Sequence, residues 1–345
     1  MKRIIKITQD KDLFRMVIIT VVIFAAMAML RPNLFLKTAN FVSMGYQIPE
    51  LGLYALAFMM VLITGQFNLS IVATGNLSAI VGMLIMHTAV ERGITGAGVW
   101  VYILLGMLAM IVIGVVCGWI NGFVVTFFQV PALLVTMSTA AIYTGLAIVL
   151  TSGKSLAGIP EALTYFGNHT LFAIPYALWL LIIVFVVTAV LLNCTKYGFE
   201  LKFVGSNIKA SHYTGIDVNK VLIKTYVYSG LISALCGIEI LAHTNAAKAD
   251  YAETYVGQAI LCSVLGATNP NGGYARMSCM ALAMVSLQFL SSGFNMLRLG
   301  GFFKEFTWGL LLITILSFDY ISEAIKRKKS IITVSKVQKL TEETE

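Results

Sequence analysis

Long apolar runs divided by short polar breaks set the pattern of the chain from residue 14 to about residue 320. The runs are continuous rather than alternating, so they predict helices and argue against a membrane β-barrel, whose strands alternate apolar and polar positions. About 20 apolar residues are enough to cross a bilayer as a helix. Ten spans are predicted, at about 14–31, 46–64, 69–90, 98–120, 130–152, 172–193, 223–243, 256–268, 274–292 and 301–320. The third carries Asn76 and Ser78. The eighth is too short for a full crossing and reads as a half-helix, which membranes tolerate only where protein surrounds it.

Composition strengthens this reading. Of 345 residues, 58% are hydrophobic and 12% charged, against about 45–50% and about 25% in soluble chains. Mean hydropathy is +0.86. Too little polar surface remains to cover a water-soluble body of this size, so lipid is the solvent for much of it. The net charge of +8 does not point to nucleic acid, because the basic residues sit at the ends of apolar runs and form no compact basic domain. With ten crossings both termini share a side. That side holds 17 of the 24 Lys and Arg residues. By the positive-inside rule both termini and the 194–222 loop are expected in the cytoplasm.

The first run follows Lys2, Arg3, Lys6, Lys11 and Arg15 and ends at Arg31-Pro32. A signal peptide would offer a small-residue cleavage site there, so an uncleaved first helix is expected. The expected division is a permease domain over 1–325 and a basic, then acidic, cytoplasmic tail over 326–345. Lys326, Arg327, Lys328 and Lys329 read as a topology signal, with contact to anionic lipid as the alternative.

Catalytic chemistry is absent from the pattern. Gly153-Lys154-Ser155 lacks the glycine that a phosphate loop places five residues before its Gly-Lys pair, since position 148 is Ile148. There is no HExxH, no GxSxG and no clustered His/Cys metal-ligand set. Cys117, Cys194, Cys236, Cys262 and Cys279 are widely spaced, mostly within apolar runs, and read as small buried side chains. Neither enzyme activity nor a cofactor or metal is expected.

Three stretches stand out. Gly114, Gly118 and Gly122 fall on one face of the fourth span, where small residues let helix backbones approach closely. Such a face serves packing, alone or beside a solute path. Gly65-Gln66-Phe67-Asn68-Leu69-Ser70 breaks two apolar runs and reads as an unwound segment. The 194–222 loop, with Lys196, Lys202 and Lys209, is the longest polar stretch between spans. Residues 207–213 form short helical turns there, stopped by Gly215. A short helix outside the bilayer lies on headgroups or docks into a partner.

This loop resembles the coupling loop of ABC-importer inner-membrane permeases of the ribose/xylose/galactose class (carbohydrate uptake class 2). The match runs through Thr195, Gly198, Gly205, Asn207, Ala210, Gly215 and Ile216, with Phe199 where the family carries Arg and Ser211 where it carries Ala. Thr64 to Ser70 is similar to the family's T-G-G-I-D-L-S, with Gln66, Phe67 and Asn68 replacing Gly, Ile and the acidic residue. The glycine helix, Val130-Pro131 with Thr136, Gly145-Leu146-Ala147, Thr151-Ser152-Gly153 and the Leu265 to Gly273 segment follow in family order.

The resemblance implies an all-α integral membrane protein of the branched-chain/ribose-type ABC permease fold. It further implies a second permease chain, ATP-binding subunits and an extracytoplasmic solute-binding protein, with Gly198, Gly205, Asn207, Ala210 and Gly215 coupling the permease to its ATPase. Ionisable residues in a membrane demand a reason. Glu239 reads as the one carboxylate well inside a span, with His243 on the same helical face. With Asn68, Asn76 and Gln288 they are the candidate solute-path residues, each with internal packing or bonding as the alternative. The expected function is import of a monosaccharide or similar small polar solute by alternating access, driven by separate ATPase subunits. Autoinducer-2-like or nucleoside solutes are the alternatives within this class, and an ion-coupled secondary carrier is the alternative outside it.

Overall fold

The structure is a computed structural model that describes residues 11–171 and 174–317. The predicted tail 326–345 lies outside the described residues. The order is α1 (Lys11–Leu30), α2 (Pro32–Phe35), α3 (Thr38–Leu62), α4 (Ile71–Glu91), α5 (Ala97–Phe127), α6 (Ala132–Thr151), β1 (Leu156–Ala157), α7 (Glu161–Asn168), β2 (Thr170–Leu171), β3 (Ile174–Pro175), α8 (Tyr176–Cys194), α9 (Lys196–Ser206), α10 (Ile208–Tyr213), α11 (Val218–Thr244), β4 (Ala246–Ala247), α12 (Tyr255–Leu265) and α13 (Met277–Met296). These elements belong to one compact unit that ends at Gly300. Residues 301–317, the described part of a second unit, are helical.

Eight of the described helices are long and apolar enough to cross a membrane: α1, α3, α4, α5, α6, α8, α11 and α13. The weak third span is a full 21-residue helix, α4. The short eighth is the 11-residue α12, and residues 301–317 occupy the position of the tenth. The second helix begins at Thr38, eight residues before the predicted start near 46, and runs through Pro49 without ending.

Two kinds of spanning helix are present. More than half of the apolar window of α3, α4, α11 and α13 is buried, against less than a third in α1, α5, α6 and α8. The outer four are the more apolar and the inner four the less so. This is the order expected when the outer faces meet hydrocarbon and the inner faces carry the polar residues.

Helices α5 and α11 meet closely along a glycine face. A Cβ on Gly114 would meet Gly230 and Ala234, one on Gly118 would meet the Tyr226 backbone, and one on Gly122 would lie 2.9 Å from the Ile223 Cα. The glycine face of α5 therefore admits the α11 backbone at a distance no side chain permits. At the far end of α11, Asn245 takes a left-handed conformation (φ 53°) and its side chain accepts from the Ile159 N–H at 2.9 Å. There β4 pairs with β1, and Gly167 of α7 lies against the Ala242 backbone.

Candidate functional site

Polar groups gather at the two ends of α11. Its start, Val218, and the finish of its last turn, His243, lie about 35–40 Å apart at 1.5 Å per residue.

At the start of α11, three motifs that are distant in sequence meet. Gly65 (φ +75°) ends the α3 segment, and Gln66 accepts from the Tyr226 hydroxyl at 3.0 Å. The Thr136 hydroxyl donates to the Phe67 carbonyl at 3.1 Å. Gly273 N–H donates to the Ile63 carbonyl at 2.8 Å. Gly205, in α9, is packed against those same Ile63 and Gly273 backbones, with no room for a Cβ. The break at 65–70, the 269–273 turn and the end of α9 are thus one backbone-to-backbone junction. Gly198 is likewise closed in, against the Leu191 and Leu192 backbone at the junction of α8 and α9.

Beyond this junction α10 stands outward. Thr195, Asn207 and Asp217 cap α9, α10 and α11, accepting from the N–H groups of Gly198 (3.2 Å), Ala210 (3.0 Å) and Lys220 (3.1 Å). The Lys220 ammonium, 2.9 Å from Asp217 Oδ2, together with the capping bond, holds the Asp217 carboxyl below its ordinary range. Gly215 takes φ +79° with open space around it and stops α10. Tyr213 is 91% exposed and Ile208 48% exposed, so α10 presents apolar surface with His212 and Lys209 beside it. A pocket of about 650 Å³ opens between α10 and the rest of this end, lined by Gly65, Gln66, Phe67, Pro131, Ile208 and His212 among others.

Ten residues beyond Ser229, at the other end of α11, lie Glu239 and then His243. Both face Glu50 of α3. His243 Nδ1 stands 3.7 Å from Glu50 Oε1, and the Tyr255 hydroxyl donates to Glu50 Oε2 at 3.1 Å. The His243 ring stacks on Tyr46, centroids 5.5 Å apart. Glu239 is 4% exposed, and neither carboxylate oxygen has a hydrogen-bond partner. Glu50 is 6% exposed. Glu239 is therefore not the one intramembrane carboxylate. With the second span predicted to start near 46, Glu50 falls in its first turn, whereas α3 begins at Thr38 and already carries two turns and more before it.

The five candidate solute-path residues divide into separate places. Glu239 and His243 meet at the Glu50 cluster. Asn76 donates to the Ala249 and Tyr251 carbonyls at 3.0 and 2.8 Å, tying α4 to the segment before α12 near that cluster. Gln288 donates to Gln47 Oε1 at 3.0 Å, one turn before Glu50. Asn68 is elsewhere: it donates to Ser229 at 3.0 Å and accepts from the Ser70 N–H and hydroxyl at 3.1 and 2.8 Å. Asn121 joins by donating to the Ser70 hydroxyl at 2.7 Å. Tyr46, Tyr54, Tyr251 and Tyr255 around the acidic cluster were not singled out from sequence. A tyrosine in an apolar helix carries no signal that separates core packing from a polar site.

Comparison with known proteins places the chain. Three curated relatives align over most of their length. The L-arabinose transport system permease protein AraH of Escherichia coli (strain K12) is 28% identical, over 92% of this chain and 93% of that one. The ribose import permease protein RbsC of Bacillus subtilis (strain 168) is 29% identical, over 88% and 89%. The autoinducer 2 import system permease protein LsrC of Yersinia enterocolitica is 29% identical, over 86% and 79%. Residues 40–316 match the family described as the permease component of the branched-chain amino acid transport system. From residue 40, early in α3, to residue 316, this multi-pass membrane chain belongs to that family of transport permeases.

Proposed function

We propose that the chain is the transmembrane permease of an ATP-binding-cassette importer for a monosaccharide or a similarly small, polar solute. The observation that carries this reading is alignment along nearly the whole chain with permeases named for arabinose, ribose and autoinducer 2. The third of those names favours a second solute class, a furanosyl signal of the autoinducer-2 type.

In this reading the α9–α10 end faces the cytoplasm together with both termini. A second permease chain, ATP-binding subunits and an extracytoplasmic solute-binding protein complete the importer. ATP hydrolysis belongs to the partner subunits. The exposed apolar and basic surface of α10 docks in a groove of the ATPase, with Asn207, Ala210 and Gly215 shaping that helix and Gly198 and Gly205 seating α9 on the bundle. Closure of the ATPase then moves α9 and the segments it touches, 65–70 and 269–273, which are the ends of spanning helices. The first of those segments, through Gly65, Gln66 and Phe67, borders the pocket of about 650 Å³, the cytoplasmic mouth of the path. Glu239, His243, Asn76 and Gln288 belong to the outer part of the path, and Asn68 to its inner part.

Reconstitution tests the reading. With an ATP-binding subunit and a solute-loaded binding protein, the permease is expected to stimulate ATP hydrolysis and to move solute. A chain that transports without any ATPase, on an ion gradient alone, is a secondary carrier and contradicts it.

A further inference from the structure

The acidic cluster at the end of α11 holds more than a polar lining requires. Glu50, Glu239 and His243 offer one ligand atom each, and these atoms lie within 4.8 Å of one another. Among the described residues this is the group of three His, Cys, Asp or Glu side chains so arranged. Two elements supply it, α3 and α11, both mostly buried.

Two observations point to a cation as the occupant. First, both oxygens of Glu239 are buried and unpartnered, in a helix long enough to span the membrane. An isolated carboxylate in a medium of low dielectric is strongly disfavoured and calls for a neutralising partner, a proton or a bound cation, and a second carboxylate beside it adds repulsion. Second, His243 Nδ1 faces Glu50 Oε1 at 3.7 Å without a hydrogen bond between them. A hydrogen bond would bring them to about 2.7–3.2 Å, whereas two ligands each about 2.1 Å from a shared metal stand roughly 3.4 Å apart in tetrahedral geometry.

The surroundings orient these ligands. Tyr255 binds Glu50 Oε2 and leaves Oε1 to face the imidazole. Tyr46 stacks on the ring of His243. The backbone of His243 accepts from Asn168 at 3.3 Å. Outer partners of this sort fix ligands in metal sites. The His243 side chain is 27% exposed, which gives an entry path and leaves coordination positions for water or for hydroxyl groups of a solute.

We propose that Glu50, Glu239 and His243 form a three-ligand site for a divalent transition-metal ion, of the class that takes mixed nitrogen and carboxylate ligands, such as Zn²⁺, Co²⁺ or Mn²⁺. Tyr255 is its positioning residue.

The test uses the purified full-length chain in lipid nanodiscs, with an affinity tag free of histidine. Co²⁺ is titrated and followed by its visible absorption, then displaced with Zn²⁺, and bound metal is counted by mass spectrometry. One ion per chain at micromolar metal is expected. Glu239→Gln and His243→Ala are expected to abolish it, and Tyr255→Phe to weaken it about 10–100-fold. Glu253→Gln, at an exposed position outside the cluster, is expected to bind as the unaltered chain does. If Glu239→Gln does not fold, His243→Ala, at a partly exposed position, decides alone. Absence of saturable binding, or binding that His243→Ala leaves unchanged, overturns the site. Metal is counted without transport, so this outcome and that of the importer reading are independent.

Discussion

Single residues in this chain divide by what surrounds them. Gly118 meets the Tyr226 backbone, while Gly145 has nothing within 4 Å of where a Cβ would sit. Gly118→Val forces α5 away from α11 and is expected to cost about 1–3 kcal/mol, read as a lower thermal midpoint in detergent. Gly145→Ala is expected to be neutral or slightly stabilising, since alanine is the better helix former by about 1 kcal/mol. Equal loss in both contradicts the packing described. Asn68 answers to a different rule. Its amide serves Ser229 and Ser70 in a buried network that Asn121 extends. Asn68→Ala leaves buried partners unsatisfied at about 1–3 kcal/mol. Loss of folded protein is the expected readout, rather than a change of transport at constant yield. A folded Asn68→Ala chain with altered solute preference supports a direct solute contact.

At the scale of elements, α9 and α10 are neighbours with opposite surroundings. The end of α9 is buried through Gly205 against α3 and the 269–273 turn, while α10 is outward, ending in the nearly fully exposed Tyr213. Substitutions in the two therefore fail differently. Gly205→Leu is expected to reduce the yield of folded chain, because backbone lies where its side chain would go. Ala210→Glu and Tyr213→Ala are expected to leave yield and insertion unchanged and to abolish solute-stimulated ATP hydrolysis. Normal stimulation in both α10 variants removes the docking role.

The spanning helices were legible in sequence because hydrocarbon imposes a length and a composition on each, independent of its neighbours. Likewise the caps of α10 and its stop at Gly215 follow from local chemistry. Glu50 was not legible, because the predicted span began near 46 and left it in the first turn, whereas α3 starts at Thr38. Nor was the junction of Gly205 with Ile63 and Gly273, nor the meeting of Gln47 with Gln288, 241 residues apart. Such contacts are set by how helices pack, and no periodicity within one helix encodes them.

On the scale of the whole molecule, one long inner helix links two chemically different ends. The start of α11 carries the junction of loop motifs and the outward helix. Its finish carries two buried carboxylates, a histidine and a group of tyrosines. An importer that couples nucleotide hydrolysis at one face to solute entry at the other needs such an element, and α11 packs against α3, α4 and α5 along the way. Sidedness follows: a cysteine placed at Tyr213 is expected to react with an impermeant maleimide only from the cytoplasm. Reaction only from outside inverts the topology.

Uptake into proteoliposomes tests the central claim most directly. The chain is reconstituted with its ATP-binding subunits and presented with the solute on its binding protein. Uptake is expected to require hydrolysable ATP, to stop with Tyr213→Ala, and to be indifferent to an uncoupler. Uptake that continues without the ATPase subunits and collapses when the ion gradient is discharged contradicts the account.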